Sequence, residues 1–200
     1  MSSILKVDTI QDQSGNNIIN ENADTITIGA SGDTITIPSG ATFSAPNIVN
    51  TPAFKAYLSA NSDTLNHDTM TVVPLNAEKF DTNSKFDTST YRFTPGEIGY
   101  YFLTGTVCID WISGASYLRQ VNVVIQKNGS PIAETIITNY NSPDMEVMGI
   151  NTNVIDYSSD VTDYYQLLAY QNNGSGNNSR RMRGSSDGER TFFCGQKLIT

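Results

Sequence analysis

The sequence predicts an all-β protein in two parts: a short N-terminal stem, and a larger head built as a sandwich, a jelly roll or a barrel. Three observations predict it. No segment of helix length carries a helical apolar period. Short β-branched and aromatic segments recur between turn-forming Asn, Gly, Pro and Asp residues. All ten tyrosines and the single tryptophan follow residue 52, whereas only one aromatic residue, Phe43, precedes it.

Residues 1–52 form the predicted stem. They hold too little bulky apolar volume to bury a core of their own. Residues 4–10 and residues 18–19 are apolar and strand-like, and the polar residues 13–17 between them are typical of a turn. We therefore expect a strand, a turn and a second strand at the start of the chain.

An internal repeat follows in the stem. The pattern Asp-Thr-Ile-Thr-Ile occurs at residues 24–28 and again at residues 33–37. Alternation of Thr and Ile is the period of a strand with one apolar face, and repeats of this kind need stacked neighbours to close a core. We expect three chains to supply those neighbours, although a flexible tail that alternates by chance is the alternative. The expected core of the trimeric stem is Ile26, Ile28, Ile35 and Ile37.

Residues 53–200 form the predicted head. The hairpin signal at Asn128-Gly129 is the strongest, because both residues tolerate a positive φ. The best helical candidate, residues 76–80, is one turn at most. The candidate strands are Phe54–Leu58, Thr69–Leu75, Thr90–Phe93, Gly99–Trp111, Leu118–Lys127, Ile132–Thr138, Val147–Ile155, Tyr164–Tyr170 and Thr191–Ile199.

Charge and hydropathy argue against several classes of partner. The net charge is −8, which disfavours a basic nucleic-acid-binding face. No apolar run approaches the roughly 20 residues needed to cross a bilayer, so we expect no membrane insertion. The first residues lack the pattern of a signal peptide. Cys108 and Cys194 lie in strand-like segments, which leaves open a disulfide or two buried free thiols.

Several motifs after residue 52 occur in the order found in one family. Residues 52–56 (Pro-Ala-Phe-Lys-Ala) come first, and residues 91–102, with Phe-Thr-Pro before Gly-Tyr-Tyr-Phe, are the most specific piece. Lys-Asn-Gly at residues 127–129 and Phe-Phe-Cys-Gly at residues 192–195 follow. Together they resemble the globular head of the C1q and tumour-necrosis-factor superfamily. The resemblance implies a jelly-roll sandwich that forms a tight homotrimer, in which Tyr100-Tyr101 and Tyr164-Tyr165 each place one ring inward and one toward the subunit seam.

The stem resembles a different group. Residues 5–12 (Leu-Lys-Val-Asp-Thr-Ile-Gln-Asp), followed by the Thr-Ile repeat, are similar to the start of virion structural and fibre-like proteins of tailed bacteriophages, notably those of marine hosts. That resemblance implies that residues 1–52 seat a trimer on other virion proteins. The expected location is the virion surface, after assembly in the host cytoplasm. The chain also lacks the Gly-x-y collagen stalk of animal relatives of the head.

Little in the sequence points to catalysis. His67, the single histidine, lies in a polar segment and is expected to be a solvated loop residue. No Ser-His-Asp arrangement or paired carboxylates stand out. Some relatives of the head bind calcium, and residues 144–146 and 156–163 are rich in acidic side chains, but no calcium motif matches them position by position. We therefore expect no enzyme, no catalytic residue, no cofactor and no assigned metal ligand, with calcium binding left open.

Residues 171–190 form the longest non-periodic stretch of the head. They hold four of the twelve basic residues, and loops on a rigid β scaffold often carry binding sites. Guanidinium groups suit carboxylates and phosphates, so these residues could meet an anionic glycan or an acidic capsid surface. The alternative is a hairpin tip whose charges only keep it hydrated. The candidate outward contacts are Arg180, Arg181 and Arg183.

The sequence therefore predicts a non-enzymatic virion structural protein, a homotrimer mounted by its stem. A fibre that reaches a host needs a long shaft, and this stem has few repeats. That favours a capsid decoration or cement protein, or a short appendage. The alternative is a tail fibre or receptor-binding protein that contacts a host surface glycan or protein.

Overall fold

The computed structural model consists of two compact units, Met1–Asn47 and Ile48–Thr200. The described part of the chain contains no helix, and hence none that could span a membrane. The residues that the structure describes are 9–11, 13–14, 17–22, 25–28, 31–40, 50–112, 118–139, 147–174, 176 and 178–198.

The first unit contains a small antiparallel sheet. Its strands, in the order β1-β2-β3, are β1 (Thr9–Gln11), β2 (Asn17–Asn22) and β3 (Thr25–Ile28). The predicted strand, turn and strand are confirmed where residues 9–22 are described, and residues 4–8 of the first predicted strand lie outside the described residues. The two copies of the Thr-Ile repeat differ in the single chain, and their stacking against neighbouring chains stays a prediction. The first copy pairs with β2 as β3, whereas the second copy, residues 33–37, lies outside every described strand.

The second unit is made of two antiparallel sheets. In the first sheet the order is β5-β15-β10-β16-β4-β7, and β13 pairs with the free side of β10; in the second the order is β12-β11-β14-β9-β8, with β6 also on β14. The strands are β4 (Ala53–Tyr57), β5 (Thr64–Leu65), β6 (Thr71–Val72), β7 (Ala77–Asp81), β8 (Phe86–Asp87), β9 (Arg92–Phe93), β10 (Gly99–Trp111), β11 (Leu118–Lys127), β12 (Ser130–Thr138), β13 (Met148–Ser158), β14 (Tyr165–Asn173), β15 (Arg180–Met182) and β16 (Phe192–Lys197).

The long strands were predictable and several short ones were not. The predicted bounds of β10 and β11 match the structure, and the other predicted strands overlap β4, β6, β9, β12, β13, β14 and β16. Residues 76–80, the best helical candidate, form no helical turn, because residues 77–81 pair with β4 as the edge strand β7. The two- and three-residue strands β5, β8 and β15 are too short to show a period.

The core lies between the two sheets. Strand β10 alternates, so that Tyr101, Leu103 and Val107 point inward and are fully buried. Aromatic rings fill the space beside them. Phe54 stacks on Phe93, with ring centroids 4.2 Å apart. Aromatic pairs of this kind stabilise a core beyond the area that they bury, so these rings tie strands of the first sheet to the second.

Candidate functional site

The outer surface of the first sheet carries a cluster of large apolar side chains that a single chain leaves exposed. Tyr100 and Phe102 of β10 are 45% and 37% exposed, and Ile155 and Tyr157 of β13 are 61% and 47% exposed. The strand register places Tyr100 opposite Tyr157 and Phe102 opposite Ile155. The rings of the two tyrosines lie 4.9 Å apart. We call these four residues the apolar face. Contiguous exposed patches of this kind mark interaction surfaces.

Further along the same strands the outer surface becomes polar. Asn151 Nδ2, which has two hydrogens to donate, lies within hydrogen-bond distance of Thr104 Oγ1 (3.0 Å), the Gly105 carbonyl oxygen (2.9 Å) and Thr106 Oγ1 (3.0 Å). These contacts hold the Asn151 side chain against β10 of its own sheet. The surface therefore has an apolar part able to exclude water and a polar part whose groups are already paired.

Both cysteines lie on this sheet as free, half-buried thiols. Cys194 lies opposite Thr104 in the register. Cys108 is four residues further along β10, about 13 Å at the usual strand rise, and a disulfide requires Cα atoms within about 7 Å. The two cysteines therefore do not form a disulfide, which answers the question that the sequence left open. Burial raises the pKa of both thiols, which makes them poor nucleophiles.

The two tyrosine pairs divide as predicted between the two faces of their strands. Tyr101 and Tyr165 are fully buried, whereas Tyr100 is exposed. Tyr164 is half-buried beneath the Arg92 guanidinium, which lies 4.0 Å from the ring centroid. Burial raises the pKa of Tyr101 to about 12. The inward rings belong to the core, and only Tyr100 lies on the apolar face.

The candidate outward arginines are placed differently from the prediction. Arg180 is 1% exposed, so the expectation that it faces outward is wrong. The reason is strand β15, which pairs with β10 and β5 and holds this segment on the first sheet. Arg181 Nη2 and Arg183 Nε lie 3.4 Å and 3.9 Å from Asp110 Oδ2. Those two side chains stay partly exposed, and a contact role for them stays a prediction.

The stem isoleucines are exposed where the structure describes their side chains. Ile28, Ile35 and Ile37 are 54%, 59% and 49% exposed. The side chain of Ile26 lies outside the described set, although its backbone belongs to β3. A stem core formed by several chains would cover these residues, and this role stays a prediction.

Of the acidic segments considered for calcium, residues 156–163 make other contacts within the chain. Lys127 Nζ lies 3.1 Å from both Asp156 Oδ2 and Asp163 Oδ2, so one ammonium group pairs with both carboxylates and offsets one of their two negative charges. Residues 144–146 lie outside the described residues. Within the described ranges, no group of three or more His, Cys, Asp or Glu side chains is arranged to hold a metal ion.

His67 is half-buried rather than fully solvated, which corrects the expectation from sequence. Its Nε2 lies 3.2 Å from Asp68 Oδ2, and its Nδ1 accepts a hydrogen bond from the Asn173 backbone N–H at 3.3 Å. Asp68 in turn accepts a hydrogen bond from the Tyr170 hydroxyl at 2.7 Å. Among the described polar contacts of its imidazole ring there is no hydroxyl or thiol nucleophile. The histidine therefore joins a loop to the end of β14.

Comparison with known proteins establishes the fold of the head. No family model matches the sequence, and no curated protein matches it. Murine APRIL, at pH 8.0, superposes with a TM-score of 0.51 and 11% identity, over 73% of this chain and 98% of that chain. Eiger TNF from S. frugiperda superposes with a TM-score of 0.50 and 10% identity, over 74% and 94% of the two chains.

The head has the C1q/TNF jelly-roll fold. The resemblance drawn from sequence motifs after residue 52 is thereby confirmed at the level of fold. The globular domain of zebrafish complement 1qA also superposes, at 13% identity over 74% of this chain and 98% of that chain, with a TM-score of 0.49. At such identities the likeness concerns the fold of the chain alone.

Proposed function

We propose that this protein acts as a non-enzymatic homotrimer assembled through the apolar face. The observation that carries the proposal is the exposure of Tyr100, Phe102, Ile155 and Tyr157 side by side on one sheet surface. Water-exposed aromatic and aliphatic groups gain free energy when another protein surface covers them. Closed rotational symmetry covers the same patch on every copy, and the C1q/TNF resemblance favours three copies.

We further propose that residues 1–52 mount this trimer on a bacteriophage particle. The support is the resemblance of residues 5–12 and of the Thr-Ile repeat to virion proteins. Exposed Ile28, Ile35 and Ile37 provide apolar surface for the neighbouring chains of the stem. The favoured role is a capsid decoration or cement protein, or a short appendage, whose work is mechanical. Its partners are then its own copies and other virion proteins.

The alternative is a tail fibre or receptor-binding protein. The observation that favours it is an open cavity between the two sheets of the head, lined by polar and apolar side chains. Host surface glycans are one class of ligand that such a cavity accepts. In this role the stem again attaches the trimer, and the head contacts the host.

Light scattering tests the trimer. The full chain should have three times the 21.8 kDa chain mass at micromolar concentration. Tyr100→Asp combined with Ile155→Asp should reduce the mass to that of one chain, because charge on the apolar face cannot be desolvated cheaply. The matched control, Met70→Asp with Ile136→Asp, changes two exposed apolar residues outside the first sheet, Ile136 on β12 of the second sheet and Met70 just before β6, and should stay trimeric. A monomeric wild-type protein contradicts the proposal.

Antibody labelling of intact particles tests the location. Label on the capsid facets supports decoration, whereas label on the tail supports adhesion. Soluble protein that blocks adsorption to the host also supports adhesion. Particles that carry no label on either part contradict the virion role altogether.

A further inference from the structure

A cavity of about 420 Å³ opens between the two sheets of the head. Leu58 and residues 60–64, which lead from β4 into β5, form one wall together with Met182 of β15. The other wall, on the second-sheet side, is formed by Thr71, Val72, Pro74, Asn76 and Tyr91. Pockets that hold small ligands usually measure about 300–1,000 Å³. The cavity is therefore large enough for a small ligand, and it lies apart from the apolar face.

The polar groups around the cavity are held in place and keep unused bonding capacity. Asn61 Oδ1 accepts a hydrogen bond from the Gly184 backbone N–H at 3.2 Å, and Asn76 Oδ1 accepts one from the Ser59 N–H at 3.0 Å. These contacts fix both amides and leave their Nδ2 groups as donors without a partner among the described residues. The exposed Asp63 carboxylate likewise has no hydrogen bond or ion pair within the described part of the chain.

Tyr91 supplies the aromatic wall in an unusual backbone conformation. Its φ is +58°, in the left-handed region that bulky residues rarely adopt. Backbone strain of this kind concentrates at ligand sites, where a side chain must be held in a set position. The half-buried ring, together with Val72 and Pro74, offers apolar surface beside the two amides and the carboxylate.

The charge of the lining selects the class of ligand. Asp63 is acidic, and none of the described residues that line the cavity is basic. An anionic ligand would therefore meet a carboxylate without a compensating cation, which disfavours it. Hydroxyl groups both donate and accept hydrogen bonds, so they can satisfy the carboxylate oxygens and the amide Nδ2 donors together.

We propose that this cavity binds a neutral sugar. Ring hydroxyls of the sugar donate to Asp63 and accept from Asn61 and Asn76, while one C–H face of the ring packs against Tyr91. The site lies within one chain. It thus goes beyond the proposed structural role and depends neither on the trimer nor on a particle, and it deepens the alternative receptor-binding role that the same cavity favours.

Calorimetric titration of the full chain tests the site. The probes are glucose, galactose, mannose and N-acetylglucosamine, with sialic acid as the anionic probe and choline as the cationic one. At least one neutral sugar should bind saturably. Asp63→Asn removes the charged acceptor, and Tyr91→Asn removes the ring but tolerates a positive φ. Each variant should bind about tenfold more weakly, the usual effect of losing one good contact.

Glu189→Gln is the matched control for Asp63→Asn, because it removes one exposed carboxylate outside the cavity; its affinity should equal that of the wild-type protein. If Tyr91→Asn does not fold, Asp63→Asn decides, since that side chain is exposed. The proposal is overturned if no neutral sugar binds, if only sialic acid or choline binds, or if Asp63→Asn binds as tightly as wild type. The mass of the same samples is measured in parallel, so that loss of the trimer and loss of the sugar site are distinguished.

Discussion

At the scale of single residues, Gly195 shows why the last strand needs a glycine. A Cβ at this position would lie 2.5 Å from Leu103 Cδ2, 2.9 Å from the Phe102 carbonyl oxygen and 3.2 Å from the Phe54 ring. The glycine therefore allows β16 to pack closely on β10 and on the core. Gly195 ends the Phe-Phe-Cys-Gly motif, one of the motifs on which the C1q/TNF resemblance rests. The close packing of β16 gives a physical reason for the glycine in that motif.

Gly195→Ala should lower the free energy of unfolding by about 1–3 kcal/mol, the usual cost of overpacking. Urea denaturation followed by tryptophan fluorescence measures this change. Gly149→Ala in β13 is the control, because a Cβ there meets no atom within 4 Å; its effect should stay within about 0.5 kcal/mol. Equal effects of the two substitutions would contradict the packing argument.

Asp163 is a second residue whose surroundings determine its chemistry. Burial by itself raises the pKa of this carboxyl, but hydrogen bonds from Asn128, Lys127 and the backbone N–H groups of Asp160 and Ser159 outweigh burial and lower the pKa to about 2. The folded-state pKa therefore lies below the unfolded value of about 3.9. The ionised carboxylate stabilises the fold above that unfolded value, and the stabilisation is lost as the pH falls toward 2.

The free energy of unfolding of the wild-type protein should therefore decrease between about pH 4 and pH 2. Asp163→Asn should be less stable at neutral pH and should show a flatter decrease over the same interval, because it cannot take up this proton. Urea denaturation at a series of pH values measures both slopes. If the free energy of unfolding falls equally steeply with pH in the two proteins, protonation of Asp163 is not the cause of the lost stability.

At the scale of secondary-structure elements, the β11–β12 hairpin illustrates how one turn connects two parts of a sheet. Asn128 and Gly129 have φ values of +51° and +84°, as the turn signal predicted. Asn128 Nδ2 also donates to Asp163 Oδ1 at 2.7 Å, and its Oδ1 accepts from the Tyr164 backbone N–H at 3.0 Å. The turn residue thus holds the start of β14 as well as its own hairpin.

Two substitutions at Asn128 separate these roles. Asn128→Gly keeps the positive φ and loses only the side-chain bonds, so the free energy of unfolding should decrease by about 1–3 kcal/mol. Asn128→Ala also places a residue with a Cβ in the left-handed region, so its free energy of unfolding should be lower by about a further 1 kcal/mol. Thermal or urea denaturation gives both values. An alanine variant as stable as the glycine variant would show that backbone strain at this turn is unimportant.

At the scale of the whole molecule, exposed apolar side chains lie in both compact units. The head exposes the apolar face, and the stem exposes Ile28, Ile35 and Ile37. The four residues of the apolar face lie side by side on one sheet, and grouped exposure of this kind marks an interaction surface. The proposed trimer covers both, and the two surfaces can be tested separately because the units are compact by themselves.

Ile26→Asp combined with Ile35→Asp should weaken the stem and attachment to the particle, because charged groups cannot be buried at a shared apolar core. The head should keep the wild-type melting temperature by circular dichroism, since these residues belong to the other unit. Incorporation into particles is measured by quantitative immunoblotting. Normal incorporation of the double variant would contradict the proposed role of the stem isoleucines.

The amino-acid sequence by itself determined the β class, the bounds of β10 and β11, and the turn at Asn128-Gly129. These features are local, because strand alternation and positive-φ residues act within a few positions of the chain. The order of motifs after residue 52 also led to the C1q/TNF fold. The sequence did not determine the distance between the two cysteines, because that distance depends on the register of β10 and β16.

Only the tertiary structure decided where the short strands form and which surfaces of the sheets are covered. Strands β7 and β15 form because β4 and β10 supply hydrogen-bonding partners from distant parts of the chain. That pairing buries Arg180, whose charge had suggested an outward loop. Alternation identifies two faces of a strand but not which of them meets the other sheet. The exposed apolar face and the cavity beside Tyr91 therefore follow from packing between segments far apart in sequence.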